Sequence, residues 1–390
     1  MKIALVVPGG VDRSGTHRVI PCLLWLIERL ARAHEVHVFA LRQEPRPSRY
    51  PLLGAEVHNC GGRPRRLRAV AAMLAEHRRS PFDALHAVWG PGPGVVAAAV
   101  GRVVRRPVLT HLTGGDLASI PDIDFGARRR WQGRAWLRLA VAGAARVTVP
   151  SHAMQRSAAA LGIAAERVPY GVALDRWPPR APRSRRPDEP ARLLHVASLN
   201  RVKDQGMLLR AARALRDAGT AFRLDIVGED TLGGSVQRMA TALGLDDVVT
   251  FHGFLPHARL RPMVEAADLV LVSSRHEADP IVLLEAAVAG VPTVGTAVGH
   301  LADWAPDAAV AVPIGDAAAL ARETAALLAD EPRRMRIAAA AQARALAEDA
   351  DWTARRINEI LEEMRNPGRS FASAVRDTDR ACIRRATRPR

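Results

Sequence analysis

The chain contains almost no lysine and few cysteines. Its basic residues are nearly all arginines, and Lys2 and Lys203 are the only lysines among 390 residues. Three cysteines, Cys22, Cys60 and Cys382, are too few for a disulfide framework and lack the spacing of a metal site. We therefore expect a protein of a reducing compartment. In a sequence whose basic residues are nearly all arginines, an internal lysine such as Lys203 is unusual enough to suggest a function.

Long apolar runs are also missing. No segment reaches the roughly 20 apolar residues that a membrane-spanning helix needs. The apolar residues 1–8 run directly into two glycines, without the longer apolar stretch and cleavage site of a signal peptide. With 48% hydrophobic and 25% charged residues, the composition is typical of a globular protein. We expect a cytoplasmic protein, with peripheral contact at the inner face of the membrane as the alternative.

The formal net charge of +16 favours anionic partners such as sugar nucleotides, lipid headgroups or nucleic acid. No recognisable nucleic-acid-binding module accompanies the charge, so we expect no nucleic acid partner. The segment 128–138 interleaves arginines with Trp131 and Trp136. As a helix it either packs its tryptophans inward, which we favour, or lies against anionic lipid headgroups.

Alternating apolar strands and helices predict two α/β domains of the Rossmann-like, doubly wound type. A chain of 390 residues also exceeds the usual size of one hydrophobic core. Strands are predicted in the first half at 3–7, 36–41, 84–88, 107–111 and 147–150, and in the second at 193–198, 223–228, 248–251, 269–272, 293–296 and 310–312. Helices are predicted in the first half at 16–33, 65–79, 126–142 and 151–161.

A segment rich in proline and arginine, residues 177–190, is the clearest boundary, because it fits neither helix nor strand. We therefore expect one domain at 1–176 and a second at 191–350. A helix at 351–365 follows, and packing back on the first domain is one option for it. The arginine-rich tail at 366–390 is predicted to be disordered, because its periodicity is lost.

The segment 273–292 is the most informative part of the sequence. Glu277 follows an apolar strand, Glu285 lies about two turns into the next helix, and Gly290 ends that helix. Taken alone, two acids at this spacing are also compatible with solvated side chains. Their setting indicates one acid at the mouth of a pocket and another on the side of the helix that faces it.

The start of the same helix predicts a phosphate site. Pro280 suits the first turn, where its missing N–H would have had no partner. The unpaired N–H groups that follow, at Ile281 and Val282, can bind an anion. A sugar, a diphosphate and a ribose would fit this layout in a row.

The string Ser-x-x-Glu-x-x-Pro at 274–280, followed by an apolar run, Glu-Ala and Ala-Gly-Val-Pro, resembles the family-four glycosyltransferases. These sugar-nucleotide-dependent enzymes have two Rossmann-like domains facing across a cleft, the GT-B fold. The resemblance covers most of 1–365 and is strongest in the second domain. It implies a nucleotide-sugar donor on the second domain and an acceptor on the first, with retention of anomeric configuration.

The resemblance assigns roles to the acids of this motif. It implies that Glu277 contacts the donor sugar hydroxyls and Glu285 the ribose hydroxyls. Asp279 departs from the family pattern, which often has an aromatic residue there. This carboxylate either contacts a sugar hydroxyl or repels a phosphate and changes the donor pose.

The loop after strand 193–198 supplies cations. Lys203 matches the family's lysine directly, whereas the family's arginine corresponds to Ser198, and here an arginine occurs at Arg201 instead. The carboxyl ends of parallel strands are where such sheets bind ligands. The resemblance implies that Lys203 and Arg201 stabilise the departing phosphate. A solvated lysine at a helix start is the plain alternative.

Glycine-rich and histidine-bearing loops of the first domain add further candidates. Gly10 and Gly15 follow the first strand, where the family approaches the donor diphosphate, although the run lacks the G-x-G-x-x-G fingerprint. His111 ends a strand and Asp116 follows it, in approximate agreement with a family histidine that contacts the donor sugar. A structural histidine and a loop aspartate remain the alternative.

Two positions of the second domain are assigned to the nucleotide. Gly228 ends a strand beside the expected nucleotide, and the alternative is an ordinary tight turn. Phe254 lies in residues 249–255, which resemble the family segment whose backbone frames the nucleobase. Backbone contacts leave little trace in side chains, so the base stays open.

We expect no catalytic metal and no cofactor other than the nucleotide-sugar co-substrate. A metal-dependent transferase of the other major fold would use Asp-x-Asp, and Asp122 and Asp124 fit that string. The same string occurs at 349–351 and 377–379, so it has little specificity. The sequence does not identify the acceptor, which we expect to be a small molecule, a glycan or a lipid-linked sugar.

The predicted activity is transfer of a sugar from a nucleotide-diphosphate donor. The family resemblance implies a front-face route in which the leaving phosphate accepts the proton of the acceptor. Two alternatives stay open. One is a sugar-nucleotide epimerase on the same fold, which would turn over donor without acceptor. The other is a non-catalytic protein that binds sugar nucleotides or anionic lipid.

Overall fold

The structure is a computed structural model, and it describes residues 1–366. The strands are β1 (Lys2–Val7), β2 (Glu35–Ala40), β3 (Ser48–Leu52), β4 (Ala55–Asn59), β5 (Ala84–Val88), β6 (Val108–His111), β7 (Arg146–Val149), β8 (Glu166–Arg167), β9 (Ala191–Val196), β10 (Phe222–Val227), β11 (Val249–Gly253), β12 (Leu269–Val272), β13 (Thr293–Thr296) and β14 (Val310–Val312).

Helices cover both faces of the sheets that these strands form. They are α1 (Pro21–Ala31), α2 (Arg65–Arg79), α3 (Val95–Val104), α4 (Trp131–Ala142), α5 (His152–Ala159), α6 (Gln205–Asp217), α7 (Ser235–Ala242), α8 (His257–Ala266), α9 (Ile281–Val288), α10 (Gly299–Trp304), α11 (Ala317–Ala329), α12 (Glu331–Ala347) and α13 (Ala350–Arg365).

Two sheets define two domains, as predicted. The first has the strand order β3-β4-β2-β1-β5-β6-β7-β8 and the second β11-β10-β9-β12-β13-β14. Every pairing is parallel except that of β3 with β4. Central strands such as β1 and β12 are buried at every residue, which explains their continuous apolar sequences. The two doubly wound α/β domains are thereby confirmed.

The start of the first helix differs from the prediction. It was expected at 16–33, but α1 begins at Pro21. Residues 11 and 19 instead form an isolated antiparallel bridge, and Arg18 has a φ of 50°. The residues before Pro21 therefore form a loop at the carboxyl end of β1. Helix α3 and the strands β3, β4 and β8 were not predicted.

The tryptophans of α4 are not packed inward, so the favoured interpretation of segment 128–138 was wrong. Trp131 is 68% exposed, Trp136 36% and Leu139 54%. The guanidinium of Arg66 lies over the Trp136 ring, 4.7 Å from its centroid. Helix α4 therefore presents an apolar and basic surface to solvent.

The segment between the domains contains neither helix nor strand and is mostly exposed, but its start is buried. Trp177 at its start is 1% exposed, and its indole N–H donates to the Glu285 carbonyl oxygen at 3.1 Å. Helix α13 packs against α1, where Arg29 donates to Asp351 at 2.9 Å and to Asp175 at 2.7 Å. One continuous apolar cluster thus links both domains.

The predicted disordered tail lies outside the described residues, apart from Asn366. Within residues 1–366, none of the helices combines the length and apolar character that crossing a bilayer requires.

Candidate active site

The main cleft lies at the carboxyl ends of the second domain's strands, facing the first domain. It has a volume of about 360 Å³. Most of its lining comes from the loops after β9, β10 and β12 and from the start of α9. The first domain contributes Thr16, Val19 and Pro21. Parallel α/β sheets bind ligands at this edge, so the cleft is the candidate active site.

Lys203 and Glu277 meet in this cleft. The Lys203 Nζ donates to Glu277 Oε1 at 2.5 Å, and the Ser274 hydroxyl donates to the same oxygen at 2.6 Å. Lys203 is held by a turn in which its backbone N–H bonds to the Asn200 side chain. Their side chains are 25% and 12% exposed. The loop after β9 and the loop after β12 thus bring a cation and a carboxylate together.

Glu285 also lines the cleft, and its partner was not predicted. His257 Nε2 lies 2.6 Å from Glu285 Oε1, and the Glu285 side chain is only 5% exposed. The His257 ring packs between Trp177 and Trp25, with centroid distances of 4.5 and 5.6 Å. The sequence contains thirteen histidines. His257 lies at an ordinary helix start, and no local signal distinguishes it from the others.

The start of α9 faces the same cleft, as predicted. Pro280 is the N-cap residue, and Ile281 and Val282 line the cleft at the first turn. The first N–H groups of a helix have no intrahelical partner, so they are available to an anion. Gly290 ends the helix with a φ of 71°, where a side chain would collide with the Arg180 carbonyl oxygen. Only glycine fits this combination well.

Asp279 lines the cleft, but its carboxylate is turned toward two other partners. One oxygen accepts from the Tyr170 backbone N–H at 3.1 Å, and the other lies 3.2 Å from His300 Nε2. The Ser151 hydroxyl also donates to the Ala278 carbonyl oxygen at 2.8 Å. These contacts attach the loop that carries Glu277 to the first domain.

Gly228 and Phe254 both line the cleft. A side chain at Gly228 would lie 2.0 Å from the Ala197 carbonyl oxygen, so the two loops approach too closely for any other residue. Phe254 is 49% exposed, and its ring lies 5.6 Å from that of His17 across the cleft. Both candidates therefore lie at the cleft, and their contact with a nucleotide stays a prediction.

The glycines of the first loop are not part of the cleft lining. Gly10 has a φ of 81° and packs against Ile20, which a side chain would contact at 2.6 Å. Gly15 has a φ of 64° and no atom within 4 Å of an added side chain. Their conformations shape the loop that brings Thr16 and Val19 to the cleft, which is an indirect role.

His111 and Asp116 are buried away from the cleft. His111 is 1% exposed, its Nδ1 lies 2.9 Å from the Thr148 hydroxyl, and burial lowers its pKa to about 3. The Asp116 carboxylate accepts from the backbone N–H groups of Gly90 and Thr113. Burial nevertheless raises the pKa of Asp116 to about 7. The structure does not bring either residue to the donor cleft.

Arg201 belongs to the same loop as Lys203 but is exposed and outside the cleft lining. Asp122, from the Asp-x-Asp string, pairs with Arg275 at 2.5 Å. Neither Asp122 nor Asp124 belongs to a group of metal-ligating side chains within residues 1–366. The cation at the centre of the cleft is therefore Lys203.

Comparison with protein families identifies the class. Residues 180–344 match the family described as glycosyl transferases group 1, and residues 19–171 match the glycosyl transferase 4-like domain. The two matches cover the two domains. The chain belongs to this group of glycosyltransferases, which confirms the family resemblance seen in the sequence.

Curated relatives match part of the chain. The putative colanic acid biosynthesis glycosyltransferase WcaL of Escherichia coli is 32% identical over 164 residues, which are 40% of each chain. The D-inositol 3-phosphate glycosyltransferase of Thermomonospora curvata is 32% identical over 199 residues, 47% of this chain and 45% of the relative. The matches thus span less than half the length of either relative.

Solved structures agree with the fold over almost the whole chain. Sucrose-phosphate synthase from Thermosynechococcus elongatus has a TM-score of 0.77 at 19% identity, covering 93% of this chain and 99% of that one. HepE from Anabaena, solved in complex with UDP-glucose, has a TM-score of 0.73 at 21% identity and covers 93% and 100%. The fold is the GT-B fold.

Proposed function

We propose that the protein transfers a sugar from a nucleotide-diphosphate donor to an acceptor held at the first domain. The observation that carries the proposal is the convergence of Lys203, Glu277 and Glu285 on one cleft beside the start of α9. A cation and free N–H groups suit a diphosphate, and acids on either side suit hydroxyls. Lys203 lies on the loop after β9, whereas Glu277 and Glu285 lie on the loop after β12 and on α9, so their meeting depends on the fold.

Lys203 is the residue to which we assign the leaving group. As the bond between the sugar and the diphosphate breaks, negative charge develops on the phosphate oxygen. An ammonium group and helix N–H groups stabilise that charge without a bound metal. The acceptor oxygen bonds to the anomeric carbon on the face from which the diphosphate leaves, and the phosphate oxygen takes the acceptor's proton, so the anomeric configuration is retained. Both the retention and the metal independence belong to this proposal.

Glu277 and Glu285 are proposed to orient the donor. Glu277 accepts hydrogen bonds from the sugar hydroxyls and Glu285 from the ribose hydroxyls. Both carboxylates can do so because the cleft partly excludes water. The neighbour HepE was solved with UDP-glucose, and a uridine donor is therefore the first to test. Phe254 and the backbone around it border the part of the cleft available to a base.

Product analysis with a panel of nucleotide sugars, with and without acceptors, tests the proposal. We expect sugar transfer that requires an acceptor, retains the anomeric configuration and persists in EDTA. Donor conversion without acceptor would indicate an epimerase instead. Donor binding without turnover would indicate a binding protein, and activity restored only by manganese would contradict the metal-free route.

We also propose a lipid-linked acceptor, with α4 lying against an anionic membrane. The support is an exposed apolar surface, Trp131 and Leu139, among the arginines of segment 128–138. Aromatic side chains favour the membrane interface, and arginines attract anionic headgroups. Such a contact would hold the first domain, and with it the acceptor site, near lipid.

Flotation with vesicles separates this proposal from a free acceptor. Vesicles containing anionic phosphatidylglycerol should retain the protein, and neutral phosphatidylcholine vesicles should not. The double substitution Trp131→Ala and Leu139→Ala should release it, because it removes the apolar contact. If the protein fails to float with either vesicle type at low salt, the membrane contact is contradicted, while the proposed sugar transfer is unaffected.

A further inference from the structure

A second cluster of ligand-type side chains lies in the first domain. His37 on β2 and His58 on β4 direct ring nitrogens at each other, with Nδ1 of His37 3.0 Å from Nε2 of His58. The carboxylate of Glu56 lies 3.8 Å from the first nitrogen and 3.9 Å from the second. Two imidazoles and a carboxylate thus face one small volume.

The sheet geometry accounts for this arrangement. Strands β2 and β4 are parallel neighbours in which His37 pairs with Glu56 and Phe39 with His58. Residues two apart on a strand share a face, so all three ligand-type side chains project toward α2. Phe39 stacks on the His58 ring at 4.6 Å and restricts its orientation. The rings are 5% and 3% exposed, so they are fixed by packing.

The distances suit a divalent transition metal. Zinc binds histidine nitrogen and carboxylate oxygen at about 2.0–2.2 Å. Tetrahedral ligands at these distances lie roughly 3.3–3.6 Å apart, and the observed separations of 3.0, 3.8 and 3.9 Å fall on either side of that range. Glu56 is 44% exposed along its side chain, so water can complete the coordination from the solvent side.

A second carboxylate orients one of the rings. Glu35 Oε1 lies 2.9 Å from His37 Nε2, so this nitrogen carries the proton and Nδ1 accepts the hydrogen bond from His58 Nε2. A metal ion that replaces this shared proton would receive the lone pairs of both ring nitrogens. Metal-bound histidines usually donate their other N–H to a carboxylate in this way. Glu35 thus supplies, independently of the three ligands, the partner expected of a metal site.

The neighbouring acids do not form a competing cation site. Glu35 and Glu76 also lie near His37, but the Lys2 ammonium is 2.7 Å from Glu76 and 3.1 Å from Glu35. That position therefore already holds a cation. The nearest cation to Glu56 is Arg49, at 3.6 Å from the carboxylate, on an exposed side chain that can move away.

We propose that His37, His58 and Glu56 bind a divalent transition-metal ion, with Zn²⁺ as the reference ligand, between the neighbouring strands β2 and β4 of the first domain. None of these three residues lines the cleft, so the site is separate from sugar transfer. Its effect is structural, because it joins β2 to β4 near the edge of the sheet. The proposal does not depend on the proposed function.

Zinc titration of the full chain tests the site. After dialysis against EDTA and its removal, calorimetry with ZnCl₂ should show one site per chain, and Zn²⁺ should raise the melting temperature, because a ligand that binds only the folded state stabilises it. Cobalt should give the visible absorption of a tetrahedral site. Glu56→Gln should abolish stoichiometric binding, and Glu35→Gln should weaken it about 10–100-fold.

A matched control distinguishes the site from histidines on the surface. His252 and Asp225 form another histidine–carboxylate pair at 2.6 Å, outside the cleft lining and without a second imidazole. Asp225→Asn should leave the zinc stoichiometry and the melting-temperature shift unchanged. Glu56 is partly exposed, so Glu56→Gln should fold, which circular dichroism would verify. Equal zinc binding by wild type and Glu56→Gln, or none by wild type, would overturn the proposal.

Discussion

Lys203 and Glu277 neutralise each other across the cleft, so a diphosphate that binds Lys203 must compete with a carboxylate. The ion pair is partly exposed, and exposed pairs contribute little to stability. Donor binding can therefore exchange the partners of Lys203 at low cost. Glu277, once released, has a free oxygen for a sugar hydroxyl.

Lys203→Ala should lower kcat about 10²–10³-fold, which is the typical effect of removing one group that stabilises developing negative charge. Initial rates with saturating donor measure this. Arg201→Ala is the matched control, because it removes a cation from the same loop but outside the cleft lining. It should change kcat by less than about threefold. Equal losses in the two variants would show that Arg201 turns into the cleft during the reaction.

His257→Ala should raise the donor KM about tenfold with a smaller effect on kcat. The substitution leaves a carboxylate that is 5% exposed without its hydrogen-bond partner, and such a loss costs about 1–3 kcal/mol. Glu285 would then no longer be oriented toward the ribose. Steady-state kinetics with varied donor separate KM from kcat. His257→Gln, which keeps a donor group, should restore part of the affinity, and a loss confined to kcat would contradict this positioning role.

At the scale of elements, the cleft depends on loops that approach each other too closely for side chains. The loop after β10 passes the end of β9 at Gly228, and the end of α9 passes residue 180 at Gly290. Both contacts are between backbones, so no side-chain rearrangement can accommodate a larger residue. Glycine at these two positions allows the elements to pack at the required distance.

Gly228→Ala should destabilise the fold by about 1–3 kcal/mol and weaken donor binding, because the added methyl would displace the loop that borders Lys203. Chemical denaturation and a donor titration by thermal shift measure the two effects. Gly219→Ala is the control: its φ is 76°, but an added side chain meets no atom within 4 Å. It should lower stability by about 1 kcal/mol through backbone strain alone. Unchanged donor affinity in Gly228→Ala would contradict the prediction.

At the scale of the whole molecule, the loop that carries Glu277 is attached to both domains. Ser151 and Tyr170 of the first domain bond to Ala278 and Asp279, and His276 Nε2 lies 2.8 Å from the Gly114 carbonyl oxygen. Any rotation of one domain against the other must therefore strain or move this loop. The position of the sugar-binding acid is thus coupled to the relative position of the domains.

Buried histidines make the whole fold sensitive to acid. Burial lowers the pKa of His86 and His111 to about 3 and that of His195 to about 4. The unfolded chain protonates its histidines near pH 6.5, so below that pH it binds more protons than the folded chain. Stability is therefore fully present above pH 6.5 and falls as the pH decreases toward 4, by up to about 4 kcal/mol per pH unit for three groups.

Urea denaturation between pH 7 and pH 4.5 checks this prediction. The denaturation midpoint should fall steeply across that range. Asp116 acts in the opposite sense: burial raises its pKa to about 7, so its own contribution declines as the pH rises from about 4 to 7. Asp116→Asn should therefore steepen the dependence on pH. A midpoint independent of pH would contradict the prediction, because it would show that these histidines take up protons as readily in the folded protein as in the unfolded chain.

Local sequence was sufficient for most strands and for the helix from 281 to 288. Buried parallel strands need apolar residues at every position, and proline and glycine mark helix ends, so both leave a signal within a few neighbouring residues. Lys203 and the two acids also lie in short continuous motifs, and this is why the sequence could place them in one cleft while their roles stay a prediction. The edge strand β3 and its neighbour β4 carry polar residues such as Glu56 and lack that signal.

Contacts between distant segments required the tertiary structure. The partner of Glu285 is 28 residues away, Tyr170 and Asp279 are 109 apart, and α13 reaches Arg29 across 322 positions. The tertiary structure also places His111 outside the cleft. A histidine at a strand end can be buried or exposed, depending on which loops cover it. Residue order specifies which elements form. Only their packing decides which side chains share a cleft, since that depends on surfaces that no local pattern encodes.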